Sequence, residues 1–203
     1  MIPIIEEIKD LIFGNKRLEA YQHFAAKKEF QFRRKLNIAA LDDDVLQMDL
    51  IAGSKGRQIK GVIHKKESEN DVTGYIMDYN AKFDYRFTDT TVFLFRSEAL
   101  ELPSFSIRPK SSLSKLGSII SSGEFAYLSR EFDKLFVVES GNMNFMRMHI
   151  TIQFAEIMVK YPQLVIEGNN KFLAMYQKGK TIDIIEMDNY YEDGLELVDI
   201  ILD

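Results

Sequence analysis

Between Tyr75 and Phe87 the chain alternates without a break. Tyr75, Met77, Tyr79, Ala81, Phe83, Tyr85 and Phe87 hold the odd positions, and Asp78, Asn80, Lys82, Asp84 and Arg86 lie between them. A period of two predicts a half-buried antiparallel strand. At about 3.3 Å per residue it would reach about 40 Å, so a bend or bulge is expected in its middle. A turn at Thr88–Thr90 returns the chain into TVFLFR, residues 91–96. Upstream, Arg57–Lys66 reads as a strand with Ile59, Gly61 and Ile63 on one face, and Phe30 and Phe32 alternate in a short strand over residues 29–36. Downstream, Phe105 and Ile107 mark a strand that Pro109 stops. Phe136-Val137-Val138 reads as a buried strand, and residues 164–180 as strand, turn and strand with Gly168-Asn169-Asn170 as the loop.

Helical spacing fills the remainder. Ile4, Ile5, Ile8, Leu11 and Ile12 share one face between Pro3 and Gly14, and a second helix is expected over Lys16–Lys28 with Leu18, Tyr21, Phe24 and Ala25 inward. Asp42, Asp43 and Asp44 suit an N-cap and an acidic first turn better than a calcium loop, whose ligands alternate around a glycine. A short helix is expected over residues 111–120 and a turn of helix around Phe132. The strongest pattern runs from Met143 to Pro162, with Phe145, Met148, Ile152, Ala155 and Val159 as its inner face. An acidic helix closes the chain from Thr181 to Leu202, with a break expected near Gly194. These elements predict an α+β fold: an antiparallel sheet with helices packed mainly on one face. Residues 1–52 form an N-terminal helical region packed on the body and residues 53–203 the α+β domain, together one compact unit.

Composition narrows the function. With 31 acidic and 26 basic residues the net charge is −5, so nucleic acid is not an expected partner. Without cysteine there is no disulfide and no thiolate chemistry. The segment MIPIIEEIKDLIF lacks a basic leader and carries acids within its apolar run. It predicts neither a signal peptide nor a spanning helix, and the expected location is cytoplasmic. Peripheral membrane association through that amphipathic face stays open, against the plainer reading of a helix docked on the body.

The order of motifs adds a resemblance. Leu102-Pro103-Ser104-Phe105-Ser106-Ile107-Arg108-Pro109-Lys110 comes first, then Glu131-Phe132-Asp133-Lys134-Leu135-Phe136-Val137-Val138. A helix follows, then Leu164-Val165-Ile166-Glu167-Gly168 and Leu173-Ala174-Met175-Tyr176. Over roughly residues 57–180 this resembles a broad group of uncharacterised bacterial proteins, domains of unknown function. Many of its members carry transmembrane helices before this domain. Relatives often have an acidic residue where this chain has Ser140-Gly141-Asn142. The resemblance implies a shared fold, and membrane association among cousins. It supplies no activity and no site residues.

No catalytic, metal or cofactor constellation emerges. His23, His64 and His149 stand apart, and no phosphate loop, dinucleotide fingerprint or nucleophile elbow occurs. No cofactor is expected. The candidate ligand-binding residues are Tyr75, Tyr79 and Tyr85, as the lining of an aromatic cavity, and Arg108 and Lys110, as an anion cradle beside Ser111 and Ser112. The same stripe reads more readily as plain core. Three functions remain: a non-enzymatic interaction module for a protein partner, which is preferred; a small-molecule or lipid-binding domain; and a hydrolase assembled from His64, Asp84 and Glu131.

Overall fold

A computed structural model describes residues 3–52, 54–68, 71–83, 86–110, 125 and 128–203, with the backbone alone for 3–15, 83 and 86. Eight strands form one antiparallel sheet: β1 (Gln31–Leu36), β2 (Lys55–Lys66), β3 (Thr73–Phe83), β4 (Arg86–Arg96), β5 (Leu102–Pro109), β6 (Phe136–Ser140), β7 (Val165–Asn170) and β8 (Phe172–Tyr176). Their spatial order is β1-β2-β3-β4-β8-β7-β5-β6. The expected α+β class, with helices mainly on one face, is the fold observed.

The long alternating stripe is two strands. Phe83 pairs with Arg86, so the chain reverses from β3 into β4 where a bend within one strand was expected. Such a reversal inverts parity, because paired residues point to the same side. Met77 and Tyr79 on β3 therefore share their face with the even-numbered Val92 and Leu94 of β4. Phe93 and Phe95 turn to the opposite face beside Ile76. Phe87 lies beyond the turn and is exposed. The face assigned to β2 is corrected in the same way. Ile63 enters the main core and Ile59 the smaller one, because the register slips between Lys60 and Ile63. Gly61 makes the slip there with φ +60°.

The main face is covered by α1 (Pro3–Lys28), α4 (Arg130–Leu135), α5 (Met143–His149), α6 (Ile152–Lys160) and α7 (Ile184–Leu202). One helix spans the two expected at the N-terminus. A glycine inside a helix costs about 1 kcal/mol, too little for Gly14 to break a helix whose second half is anchored by packing. The anchor is a polar knot. Arg17 donates to Asp78, to Thr91 Oγ1 (2.9 Å) and to the Ile182 carbonyl (2.9 Å). Tyr21 and Thr91 each donate to Asp78 at 2.8 Å. The knot ties α1 to β3, β4 and the segment before α7.

The helix expected over 143–162 is two. Thr151 adopts an extended conformation and its hydroxyl caps α6 by accepting from the Phe154 N–H at 3.2 Å. The change of axis leaves Met148 and Ile152 exposed and buries Met146, Ile150, Phe154, Ile157 and Met158 instead. The β7–β8 loop is Asn170-Lys171, since Asn169 pairs with Phe172. Asn170 takes φ +50° there, and Gly168 stays in the strand. The C-terminal helix runs unbroken through Gly194. A Cβ there would lie 2.3 Å from the Phe95 ring, so glycine lets α7 close onto β4. The helix expected over 111–120 lies outside the described residues.

Candidate functional site

Among the described residues, the other face of the sheet is crossed by a short strap, residues 37–52. It consists of a 3-10 turn (Ile38–Ala40), α2 (Asp43–Leu46) and α3 (Asp49–Ala52). Local chemistry folds it: the Asn37 side chain caps the 3-10 turn, and the Asp42 carboxylate accepts from the Asp44 N–H at 3.1 Å. The aspartate triplet is thus the N-cap and acidic first turn that its sequence suggests. The strap presses Val45, Met48, Leu50 and Ile51 onto Ile59, Met77, Tyr79 and Leu94, leaving only about 10 Å³ of free space beneath it.

Open clefts lie on both sides of the strap. Toward β5, β6 and β7 are two adjoining ones, of about 370 Å³ and 510 Å³, which share Asp49 and Glu167. One row of ladder partners lines the first of them, Glu139 on β6, Ser106 on β5 and Glu167 on β7, and Glu167 reaches into the second as well. Glu167 is 3% exposed; it accepts from the Tyr176 hydroxyl and, at 3.5 Å, from the Leu50 N–H. Burial pushes its pKa above the ordinary glutamate value, although the Tyr176 bond pulls the other way. Burial and the neighbouring Glu167 raise the Tyr176 phenol far out of the physiological range. Arg108 donates to Glu139 and lies 3.6 Å from Asp49, while its buried Nε has no partner among the described residues. No histidine lines either cleft.

On the other side of the strap is a groove of about 410 Å³. Val62, Met77, Leu94 and Phe172 contribute apolar surface, with Tyr75, Arg33 and Arg96 also in its wall. Arg96 lies over the Phe172 ring and pairs with Glu98.

The candidate residues from the sequence are dispersed over this layout. Tyr75 lines the groove and stacks on His64 at 5.6 Å. Tyr79 is sealed beneath the strap, its hydroxyl hydrogen-bonded to Ser54 Oγ. Tyr85 lies outside the described residues, as do Ser111 and Ser112. Arg108 faces the clefts, whereas Lys110 donates to the Asp133 carbonyl at the start of the helical side. Glu167, Tyr176, Asp49 and Glu139 were not singled out by the sequence. Glu167 had a signal: a carboxylate in the run Leu164–Gly168, otherwise fully apolar, is a buried charge that needs a partner.

No protein-family model matches the chain, and no curated protein matches it. Among solved structures, the crystal structure of the mycobacterial trehalose monomycolate transport factor A, TtfA, is similar. The TM-score is 0.59 at 9% identity, over 91% of this chain and 92% of that one. At this identity the likeness shows the fold alone. No helix among the described residues is long and apolar enough to cross a membrane.

Proposed function

We propose that the chain is a non-enzymatic interaction module that engages a protein partner through the clefts beside the strap. The observation carrying this reading is how the cleft side chains are engaged. Arg108 is paired with Glu139 and Asp49, and Glu167 with Tyr176. Groups that satisfy one another hold a shaped, polar surface, while catalysis needs a nucleophile in reach of a base. The clefts are open and mixed in polarity, as recognition surfaces are. The structure sharing the fold is named as a transport factor, which is in keeping with an accessory role. The resemblance carried by residues 102–176 falls on strands and on one helix, so it bears on fold and not on partner.

The test is capture from the source cell with a tagged chain, the aqueous and membrane fractions analysed separately. The wild type is expected to retain a stoichiometric protein, and a variant at two residues that line the larger cleft, Asp49→Lys/Lys180→Glu, to lose it at unchanged Tm. A monodisperse monomer without a stoichiometric partner in either fraction overturns the reading.

A second reading, a lipid-binding domain, is favoured by the groove, where an apolar wall adjoins Arg33 and Arg96. The neighbour's name, tied to trehalose monomycolate, points the same way. A single-chain anionic amphiphile, oleate, would then raise the Tm of the wild type but not that of Ala40→Trp, since Ala40 lines the groove and an indole there fills it. An equal shift in both removes this reading.

A further inference from the structure

β1 ends the sheet. It pairs with β2 alone, and no backbone hydrogen bond among the described residues uses its outer edge. An unpaired edge is a template for another strand. The charge on it is unusual for this protein. β1 carries three Lys or Arg and β2 five, with no Asp or Glu on either, in a chain of net charge −5. Arg33, Lys35, Lys55 and Lys60 make no ion pair among the described residues. Lys35 stands directly opposite Lys60, a like-charge pair that weakens the ladder. Lys35, Arg57 and Lys60 also line a shallow pocket of about 210 Å³ whose wall contains no acid. Burial and Arg33 lower the His64 pKa, in line with uncompensated positive potential at this end.

Protection of the edge against self-pairing explains a charge or two on β1. It does not explain Lys55 and Lys60 on the interior strand β2, where Lys65 and Lys66 pair with Glu67 and Asp71. We propose that β1 takes up an extended acidic segment of a partner protein as a ninth strand, with main-chain hydrogen bonds for affinity and carboxylates over the Lys and Arg rows for specificity. The inference rests on the interaction-module reading and gives one partner its chemistry. A second copy of this chain is disfavoured, since β1 against β1 sets cations against cations. A lipid surface is disfavoured too: Phe32 packs into the main core and Leu36 into the smaller one, leaving β1 no apolar side chain to insert.

The probe is a blocked octapeptide of alternating glutamate and valine, with two controls: its lysine–valine counterpart, and the acidic peptide with N-methylated valines. The acidic peptide is expected to bind the full chain and to slow hydrogen exchange at alternate β1 amides. Its affinity should fall about tenfold between low and high salt and at least as much in Arg33→Glu/Lys35→Glu. Neither control should bind. Equal binding of the N-methylated peptide means charge alone is read and overturns strand addition, as does no binding at low salt. Protection of β1 by anionic phosphatidylserine vesicles, or dimerisation through β1 without peptide, overturns the proposed partner. Partner capture that survives Arg33→Glu/Lys35→Glu while the peptide fails to bind overturns this inference and leaves the module reading standing.

Discussion

The two faces of this sheet are made by the same strands and are covered very differently. On one, five helices bury an aromatic core in which Phe93 stacks on Tyr190 at 5.4 Å and Phe95 lies 5.5 Å from Tyr191. On the other, residues 37–52 are the cover among the described residues, and three clefts of about 370–510 Å³ lie beside them. Burying apolar area is worth about 25 cal/mol per Å², so the first face supplies most of the stability. The second face is then free to keep polar groups such as Glu167 and Arg108 near solvent. Stability and recognition are thus separated by strand parity: odd and even residues of one β-ladder serve different ends.

The largest expected effect tests this division directly. Phe93→Ala, in the helix-covered core, should lose about 3–5 kcal/mol in urea unfolding. Met48→Ala, on the inner side of the strap, should lose less, because a strap of short helices can settle into the space. Equal losses would mean that the strap face is as much a part of the folding core as the other. The next effect comes from the knot that fixes α1. Asp78→Ala strands Arg17 among Thr91 and the Ile182 carbonyl, and removing one partner of a largely buried pair costs about 3 kcal/mol or more. Hydrogen exchange should rise along residues 16–28 well before the sheet opens.

Much of this layout was legible in the chain. The strands from Arg57 to Tyr176 follow from alternation, and the caps at Asp42 and the turn at Ser140-Gly141-Asn142 follow from side-chain chemistry. What alternation does not encode is where parity inverts. Asp84-Tyr85 carries none of the usual hairpin dipeptides, so a stripe spanning two strands reads as one. Gly61 hides a register slip for the same reason. The break at Thr151 was written in a capping residue, but the apolar positions around it fit one helix as well as two. The clefts were the least legible feature. They depend on which residues the strap leaves uncovered, a tertiary fact, and Arg108 was singled out as half of an anion cradle with Lys110, not as a residue facing a cleft.

The third effect sharpens the character of the clefts. Burial raises the Glu167 pKa in the folded state above its unfolded value. The folded chain therefore holds this proton more tightly than the unfolded one. The contribution is fully present below the ordinary glutamate pKa of about 4.3 and is lost as pH rises through the raised folded value. Urea titrations across that window should show wild-type stability falling with pH from this group. Glu167→Gln, neutral throughout, should flatten that component. An unchanged profile would mean that water or a cation compensates the carboxylate.

The smallest effect bears on the edge rather than on either face. Lys35 and Lys60 oppose one another across β1 and β2, and Lys35 is exposed. Lys35→Glu turns a repulsive cross-strand pair into an attractive one. Such pairs are worth roughly 0.2–1 kcal/mol, and solvent screening puts this one toward the lower end. The variant should therefore be slightly more stable than the wild type at low salt, with the gain fading as salt rises. If Lys35→Glu is destabilising instead, the lysine already has a favourable role in the fold.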